Sequence, residues 1–442
     1  MKVKFNFSSI FGFDFFLFIS VQLLMVIGIF FIYSSGVNSN GIVVSSEYMK
    51  QIVWVISGDM LLLIVSFVDY KTFKVLSPWL YLIVLFLLLL TASFGQVVNG
   101  SRSWIGIGSL GIQPSEISKL TTILFLSSYL ENNRNSIQSL KTFIISLLII
   151  AIPMGLVLIQ PDLGTAMVFI PIFIVIMYMA GGKSRYLVFL ISTGLLTILF
   201  SMFPYYTMFI SKSGSNSIIF FTDQKVMTVI SLTVAAIAVI SMVGYRFTRK
   251  GYFYMLSSLL TVTGISYVLS FFARKVLKEY QVMRLIVFLD PQVDPRGSGW
   301  NIIQSVTAVG SGGAFGKGYL QGTQSHYRYL PEQSTDFIFS IISEEIGFMG
   351  NLLIIILFSI IFWRCINIIL KSRDLFGSLI ASGMVGMIFF HFMINIGMAI
   401  GIMPITGIPL VFLSYGGSSL WTILFGIGIL LSVYHRRYKN AN

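Results

Sequence analysis

The chain has 442 residues, of which 56% are hydrophobic and only 10% are charged, and its mean hydropathy is +0.89. Because soluble domains carry about 25% charged residues, this composition excludes an ordinary water-soluble fold and predicts an integral membrane protein. A net charge of +13 would suggest nucleic-acid binding in a soluble protein. In a membrane protein the same excess belongs to cytoplasmic loops, and no basic run resembles a nucleic-acid-binding module.

Cysteine and histidine usage gives little support to redox or metal chemistry. The single cysteine, Cys365, excludes an intrachain disulfide. The three histidines, His326, His391 and His435, lie far apart in the sequence and have no zinc-ligand spacing. We therefore expect no metal site built on histidines.

Taken in chain order, the apolar runs predict an all-α, polytopic bundle of about twelve transmembrane helices, since each spanning helix needs about 20 mostly apolar residues. The first run follows Lys2 and Lys4 and is too long for the core of a signal peptide. The predicted spans lie near 12–33, 50–68, 77–94, 114–130, 142–159, 162–180, 186–203, 226–244, 252–272, 337–363, 376–400 and 418–435.

The distribution of Lys and Arg supports this count. If the N-terminus is cytoplasmic, alternate loops are cytoplasmic, and nearly every basic cluster falls in one of them, as does the basic C-terminal tail. A single helix over 142–180 would be too long for the bilayer. A break at Q-P-D-L-G (160–164) gives two spans and preserves the alternation.

Two loops are predicted on the extracytoplasmic side, near 95–114 and 273–335. The second loop is the longest stretch without a span, and it opens with an amphipathic piece containing Arg274, Lys275 and Lys278. Such a piece is typical of a helix lying along the membrane surface. An anionic lipid headgroup or simple solvation would explain its positive charge.

Several ionisable residues fall inside predicted spans or at their ends, where each costs at least about 2.5–3.5 kcal/mol unless it is paired or functional. Glu116 and Lys119 are three residues apart on one helical face and can pair directly. One interpretation is a buried polar network that fixes helix register. The other is a water-filled cavity open to the outer face, which the position of most of these groups favours. The other ionisable residues within predicted spans or at their ends are Asp59, Asp162, Asp336, Glu344 and Glu345.

Ten sequence motifs are too specific to arise from composition. They are N-G-S-R-S-W-I-G-I-G (99–108), Q-P-S-E-I-S-K-L (113–120), Q-P-D-L-G-T (160–165), D-P-Q-V-D-P-R-G-S-G-W (290–300), G-S-G-G-A-F-G-K-G (310–318), G-T-Q-S (322–325), L-P-E-Q-S-T-D-F-I-F (330–339), E-E-I-G (344–347), N-I-G-M (395–398) and P-L-V-F-L-S-Y-G-G-S-S (409–419). Along almost the whole chain, this ordered set resembles the SEDS family (shape, elongation, division and sporulation).

The resemblance implies a peptidoglycan glycosyltransferase of the bacterial inner membrane that polymerises lipid II, with both termini cytoplasmic and the active site facing outward. It implies a class B penicillin-binding protein as partner, together with other elongation-complex proteins. The G-T-Q-S motif and the D-P-x-x-D-P run resemble the elongation branch more than the division branch. A precursor flippase and a non-enzymatic scaffold remain alternatives.

The family is expected to have ten spans in one membrane domain, here 1–442. This sequence has an apparent additional pair of spans, within a predicted insertion over 204–272. Because the pair is even, it leaves the 273–335 loop on the outer side. The sequence does not indicate what the pair does.

The resemblance places the essential carboxylate at Asp294, within D-P-R-G-S-G-W, as the general base for the attacking sugar hydroxyl. Asp290, which is also followed by Pro, is the rival. A divalent cation, Mg or Mn, between Asp294 and the pyrophosphate would fit this chemistry, although the sequence shows no full set of metal ligands.

Cationic groups are expected to stabilise the leaving pyrophosphate. The candidates are Arg102, Lys119 and Lys317, with Glu116 positioning Lys119, and the Gly-rich turn around Lys317 would offer backbone amides to an anion or form a plain flexible loop. The remaining predicted substrate-site residues are Gln113, Gln160, Asp162, Gln304, Gln324, Glu332 and Asp336.

Overall fold

The computed structural model describes residues 13–98, 101–107, 110–209, 223–276 and 279–438. In this part of the chain, ten helices are long and apolar enough to cross a membrane, and two further helices, α4 and α6, lie at the other two predicted spans. The helices are α1 (Phe15–Ser35), α2 (Glu47–Phe67), α3 (Tyr70–Phe94), α4 (Pro114–Asn132), α5 (Leu140–Ile159), α6 (Leu163–Met179), α7 (Ser184–Phe209), α8 (Gln224–Thr248), α9 (Gly251–Val276), α10 (Glu279–Leu289), α11 (Ser298–Ser311), α12 (Thr323–His326), α13 (Ile338–Lys371), α14 (Leu375–Ala399) and α15 (Gly417–His435).

A helix therefore lies at each of the twelve predicted spans, in the predicted order, and ten of these helices are long and apolar enough to cross a membrane. The break predicted at 160–164 is present: α5 ends at Ile159, α6 begins at Leu163, and Asp162 caps α6. The helix α4 is less apolar than its neighbours because it contains the Glu116–Lys119 pair and several Ser and Thr residues, most of them buried.

The chain divides into two compact units, one formed by 1–182 with 304–442 and the other by 183–303. In the first unit, α15 packs on α2 and α4, and α14 packs on α4, α6 and α13. About 72% of the most apolar window of α15 is buried, against 28% for α2 and α3. The centre of this unit is thus α14 and α15, and α2 and α3 present most of their apolar surface outward, as lipid-facing helices do.

Four ion pairs mark one end of the first unit, which we call the basic end. Each pair joins two helix ends: the end of α13 to the start of α1, the end of α15 to the start of α3, the start of α3 to the end of α4, and the start of α3 to the start of α14. Starts and ends meet at this side of the unit because successive helices run in opposite directions. The pairs are Arg364–Asp14 (2.8 Å), Arg436–Asp69 (3.5 Å), Lys74–Glu131 (2.5 Å) and Lys71–Asp374 (3.7 Å).

In the second unit, α9 packs on both α7 and α8. The Ser266 hydroxyl donates to the Thr193 carbonyl (3.1 Å), and the Ser257 hydroxyl donates to the Ala238 carbonyl (3.1 Å), which satisfies these polar groups within an apolar bundle. The predicted additional pair of spans corresponds to α8 and α9. Part of the predicted insertion, 210–222, lies outside the described residues, and the insertion itself stays a prediction.

Two stretches between the predicted spans differ from the all-helical expectation. A three-stranded antiparallel sheet, β1 (Gln96–Val98), β2 (Ser101–Ile107) and β3 (Leu110–Ile112), lies between α3 and α4. It escaped prediction because β1 and β3 have only three residues each and because Ser and Gly, which are weak strand formers, interrupt β2. The predicted loop over 273–335 is also more helical than expected, since it contains α10, α11 and α12.

The chain between α14 and α15 is not helical, yet much of it is buried. We call residues 402–416 the connecting segment; Ile408, Leu410 and Leu413 in it are at most 1% exposed. Irregular backbone at membrane depth requires partners within the protein. Side chains supply them: Asn395 donates to the Ile408 carbonyl (2.8 Å), and Gln51 contacts both the Ser414 carbonyl and the Gly416 amide.

Candidate functional site

A buried ion pair in α4 is the centre of the candidate site. Pro114 begins the helix, where its missing N–H costs nothing, and Glu116 and Lys119 follow one turn apart. The Lys119 ammonium lies 2.8 Å from Glu116 Oε1, and the two side chains are 1% and 4% exposed. The pairing predicted from the three-residue spacing is present, in a setting where an unpaired charge would be very costly.

His391 of α14 is a third member of this group that the sequence reasoning missed. Its Nε2 atom lies 3.3 Å from Lys119 Nζ, and its Nδ1 atom lies 3.0 Å from the Pro409 carbonyl oxygen. A lone histidine on an apolar helix is usually a packing residue. The signal that would have singled it out is Asn395, four residues later on the same face and also bound to the connecting segment.

The predicted residues Gln113 and Asp162 meet beside the pair. Asp162 caps α6 by accepting from the Thr165 amide (3.0 Å) and hydroxyl (2.9 Å), and it accepts from Gln113 Nε2 (3.0 Å). We call Gln113, Glu116, Lys119, Asp162 and His391 the lysine cluster.

Three helices begin at the lysine cluster. The backbone amide of Gln113, which precedes α4, donates to the Ser418 hydroxyl in the first turn of α15 (3.1 Å). Ser419 lies beside the Glu116 carboxylate and also lines a small pocket with Pro409 and other residues of the connecting segment. Because helix N-termini carry partial positive charge, the starts of α4, α6 and α15 and the Lys119 ammonium offset the negative charge of Glu116 and Asp162 in this cluster.

A second group, which we call the acid clamp, consists of Glu344, Glu345, Lys317 and His326. Both carboxylates are fully buried near the start of α13. Glu344 Oε1 accepts from Lys317 Nζ (2.6 Å) and from the backbone amides of Thr323 (2.9 Å) and Gln324 (3.1 Å). The predicted site residues Lys317 and Gln324 are therefore brought together around Glu344, and their described contacts lie in the acid clamp.

The other acid of the clamp, Glu345, binds two separate parts of the chain. It accepts from the Ser34 hydroxyl of α1 (2.5 Å) and from the Leu320 amide (3.1 Å), and His326 Nε2 lies 3.4 Å away. The carboxylate oxygens of Glu344 and Glu345 thus accept hydrogen bonds from the loop over 312–326 and from α1. This arrangement fastens that loop to the start of α13.

The Gly-rich turn predicted as an anion cradle uses its amides within the protein. The Lys317 amide donates to the Glu344 carbonyl and the Gly318 amide donates to the Glu345 carbonyl, both at 3.0 Å. Gly316 (φ 77°) and Gly347 (φ 65°) both adopt left-handed backbone where the turn meets an irregular point within α13. Glycine is required here because a Cβ on Gly316 would overlap the Glu345 backbone.

The remaining predicted residues of the first unit do not join either group through their described contacts. Arg102 is exposed on β2, and Gln304 is half-buried in α11. Gln160 is buried and donates to the Leu88 carbonyl (2.8 Å). Glu332 is exposed with φ 49°, and the Asp336 carbonyl accepts from Asn395 (2.8 Å).

Asp294, the predicted general base, lies in the second unit in a turn before α11. Its Oδ1 atom accepts from the Gly297 amide (3.1 Å), and its carbonyl accepts from the Gly299 amide (3.0 Å). Asp290 caps the preceding single turn of 3-10 helix by accepting from the Gln292 amide (2.9 Å). Both aspartates are half-buried, so local geometry and burial do not decide which of them is the general base.

Among the described residues, no three His, Cys, Asp or Glu side chains come together as metal ligands. A divalent cation at Asp294 would therefore need ligands from outside that set, such as substrate oxygens or water.

Comparison with known proteins places the chain in a family. Its sequence matches the FtsW, RodA and SpoVE family of cell cycle proteins over residues 14–225 and 215–439. The chain belongs to this family, which is the SEDS family. It is 47% identical to the peptidoglycan glycosyltransferase RodA of Treponema pallidum, over 96% of this chain and 98% of that protein.

Other relatives of this SEDS protein agree with that assignment. The stage V sporulation protein E of Bacillus subtilis is 35% identical over 95% of this chain and 96% of its own length. A solved chain from a study of how a peptidoglycan synthase complex coordinates polymerization and crosslinking is 26% identical, with a TM-score of 0.65, and covers 97% of this chain and 99% of its own. The all-α, multi-pass membrane fold is thus the fold of the family.

Proposed function

We propose that this SEDS protein is a peptidoglycan glycosyltransferase that polymerises lipid II during cell elongation. The observation that carries the proposal is the 47% identity to a RodA glycosyltransferase over nearly the full length of both chains. Identity of that extent over nearly the whole of both chains supports a shared fold and a shared activity. The lysine cluster supplies a buried cation near the starts of three helices, which suits a leaving group that gains negative charge.

The chemistry joins two sugars. The 4-hydroxyl of one sugar attacks the anomeric carbon of another, the bond from that carbon to the lipid pyrophosphate breaks, and the hydroxyl proton passes to a base. A hydroxyl is a weak nucleophile, so a carboxylate base accelerates its attack. We assign this role to Asp294, in the D-P-R-G-S-G-W motif, and keep Asp290 as the alternative.

The leaving pyrophosphate gains negative charge as the bond breaks, and preorganised cations and dipoles stabilise such charge most effectively where water is excluded. Lys119 meets this need because its ammonium has three protons to donate, while Glu116 and His391 are its acceptors among the described residues. Glu116 holds the ammonium in place. Gln113 and Asp162 shape the site around the starts of α4 and α6.

We assign Lys317 to the acid clamp and not to the pyrophosphate, because the amides of its Gly-rich turn already donate to the Glu344 and Glu345 carbonyls and its ammonium holds Glu344. Arg102, exposed on β2, is kept as a second phosphate contact. A divalent cation in this reaction would be held by Asp294 and the pyrophosphate, because no three His, Cys, Asp or Glu side chains among the described residues come together as ligands.

We infer that the basic end of the first unit faces the cytoplasm, since Lys and Arg collect on that side of membrane proteins. The lysine cluster, at the start of α4, would then face outward in the bacterial inner membrane. The partner would be a class B penicillin-binding protein of the elongation complex, an inference supported by the likeness to a chain of a peptidoglycan synthase complex.

The test is polymerisation of lipid II by the purified protein with its partner, using Asp294→Ala and Asp290→Ala separately. We expect glycan strands from the wild type and from Asp290→Ala, and none from Asp294→Ala. Polymer from Asp294→Ala at the wild-type rate would remove the assignment of the base.

The alternatives give different results in parallel assays. A precursor flippase would move lipid II across reconstituted liposomes without making polymer, and a scaffold would support rod-shaped growth when it carries Asp294→Ala. Either outcome would replace the enzymatic proposal.

A further inference from the structure

The buried histidine of the lysine cluster has a defined chemical state that the hydrogen-bond geometry determines. His391 has no exposed surface. Its Nδ1 atom is 3.0 Å from the Pro409 carbonyl oxygen, which can only accept, so Nδ1 must carry a proton. Its Nε2 atom is 3.3 Å from the Lys119 ammonium, which can only donate, so Nε2 must offer its lone pair. The ring is therefore neutral and protonated at Nδ1.

This state joins Lys119 to the connecting segment through one ring. Asn395, one turn further along α14, donates to the Ile408 carbonyl at 2.8 Å. The carbonyls of Ile408 and Pro409 thus accept from two different side chains of α14, and only the Pro409 carbonyl contacts the His391 ring. The ring then fixes the direction of one Lys119 proton, and Glu116 fixes a second.

We propose that His391 is a positioning residue for Lys119. The Nε2 lone pair of His391 holds the Lys119 ammonium so that the third ammonium proton points to the anionic group of the substrate. The functional consequence rests on the proposed role of Lys119 at the pyrophosphate. The state of the ring does not rest on it and can be measured alone.

The first test is nitrogen NMR of the full-length wild-type protein labelled with 15N-histidine. The chain has only three histidines, so His391→Gln assigns the signal by its loss. We expect an Nδ1-protonated neutral ring whose Nε2 signal shifts in Lys119→Met. A ring protonated at Nε2 in the wild type overturns the proposal without any question of folding. An Nε2 signal that is unchanged in folded Lys119→Met also overturns it.

The second test measures binding of undecaprenyl pyrophosphate, the leaving group of the proposed reaction, to detergent-solubilised protein. His391→Leu should weaken binding about tenfold, the effect of one charge-assisted hydrogen bond. His391→Gln should retain wild-type affinity, because an amide can both donate to Pro409 and accept from Lys119. Wild-type affinity in His391→Leu would contradict the proposal.

Asn395→Leu is the matched control, because it releases the connecting segment without touching Lys119. Its affinity should stay within about twofold of the wild type. If Asn395→Leu weakens binding as much as His391→Leu, the effect passes through the segment and the positioning role is wrong.

A double variant separates this proposal from the function on which it rests. Lys119→Met with His391→Leu should bind no more weakly than Lys119→Met alone, since His391 acts through the lysine. A further tenfold loss would overturn the positioning role. If Lys119→Met binds as well as the wild type while the NMR result holds, the pyrophosphate role of Lys119 fails and the positioning of the ammonium stands.

Discussion

The lysine cluster and the acid clamp are both buried groups of charges within the same helical unit, but the hydrogen bonds of Glu344 in the clamp are more fully used than those of Lys119 in the cluster. Glu344 accepts from an ammonium, a hydroxyl and two backbone amides. In the lysine cluster, the Lys119 ammonium has two acceptors among the described residues for three protons, and its side chain is 1% exposed. Lys317 of the clamp also has two such acceptors, but its side chain is 27% exposed, so its third proton can meet water. A saturated group fastens parts of a fold, and an unsaturated buried cation is prepared for a ligand.

The largest effect is expected at Lys119. We predict that Lys119→Met lowers the rate of lipid II polymerisation at least about 100-fold, the usual loss when one preorganised donor to a developing charge is removed. The measurement is polymer formed per folded molecule. Since the single variant leaves Glu116 buried without its partner, Glu116→Gln with Lys119→Met is the control. It should restore thermal stability and leave the activity lost; recovery of activity would show that the pair is only structural.

The acid clamp should respond through stability. We predict that Glu344→Ala lowers the free energy of unfolding by about 3–5 kcal/mol, the range for removing one partner of a buried ion pair. It also leaves the amides of Thr323 and Gln324 without acceptors. Thermal unfolding in detergent measures the loss. Activity per folded molecule should be retained, and a fully stable but inactive variant would move Glu344 into the reaction.

How much of this the sequence could predict depends on the range of the contacts. The spans, their order and the Glu116–Lys119 pair followed from local patterns, namely apolar length and a three-residue spacing. The contact of His391 with Lys119 joins residues 272 positions apart, and no periodicity reports such a distance. Lys317 shows the same limit: its Gly-rich surroundings are typical of an anion-binding turn, and only the fold reveals the buried Glu344 against it.

A smaller stability effect is expected where the clamp depends on backbone contact. We predict that Gly316→Ala costs about 1–3 kcal/mol, because the residue has φ 77° and its Cβ would overlap the Glu345 backbone. Thermal unfolding again measures the change. Gly313→Ala is a matched control, since Gly313 also has a positive φ of 57° but no atom within 4 Å of the added Cβ; equal losses in both would mean that backbone strain alone explains the effect.

The smallest effect should come from Lys317 and tests the division between the two groups most sharply. We predict that Lys317→Met lowers stability by about 1–2 kcal/mol, because Glu344 keeps its donors from Thr323 and Gln324 and the lysine side chain is 27% exposed. Its polymerisation rate per folded molecule should match the wild type, in contrast to Lys119→Met. A rate loss of about 100-fold in a stable Lys317→Met protein would mean that the ammonium leaves Glu344 to meet the pyrophosphate. The clamp would then belong to the substrate site, and hydrogen-bond saturation would no longer distinguish the two regions.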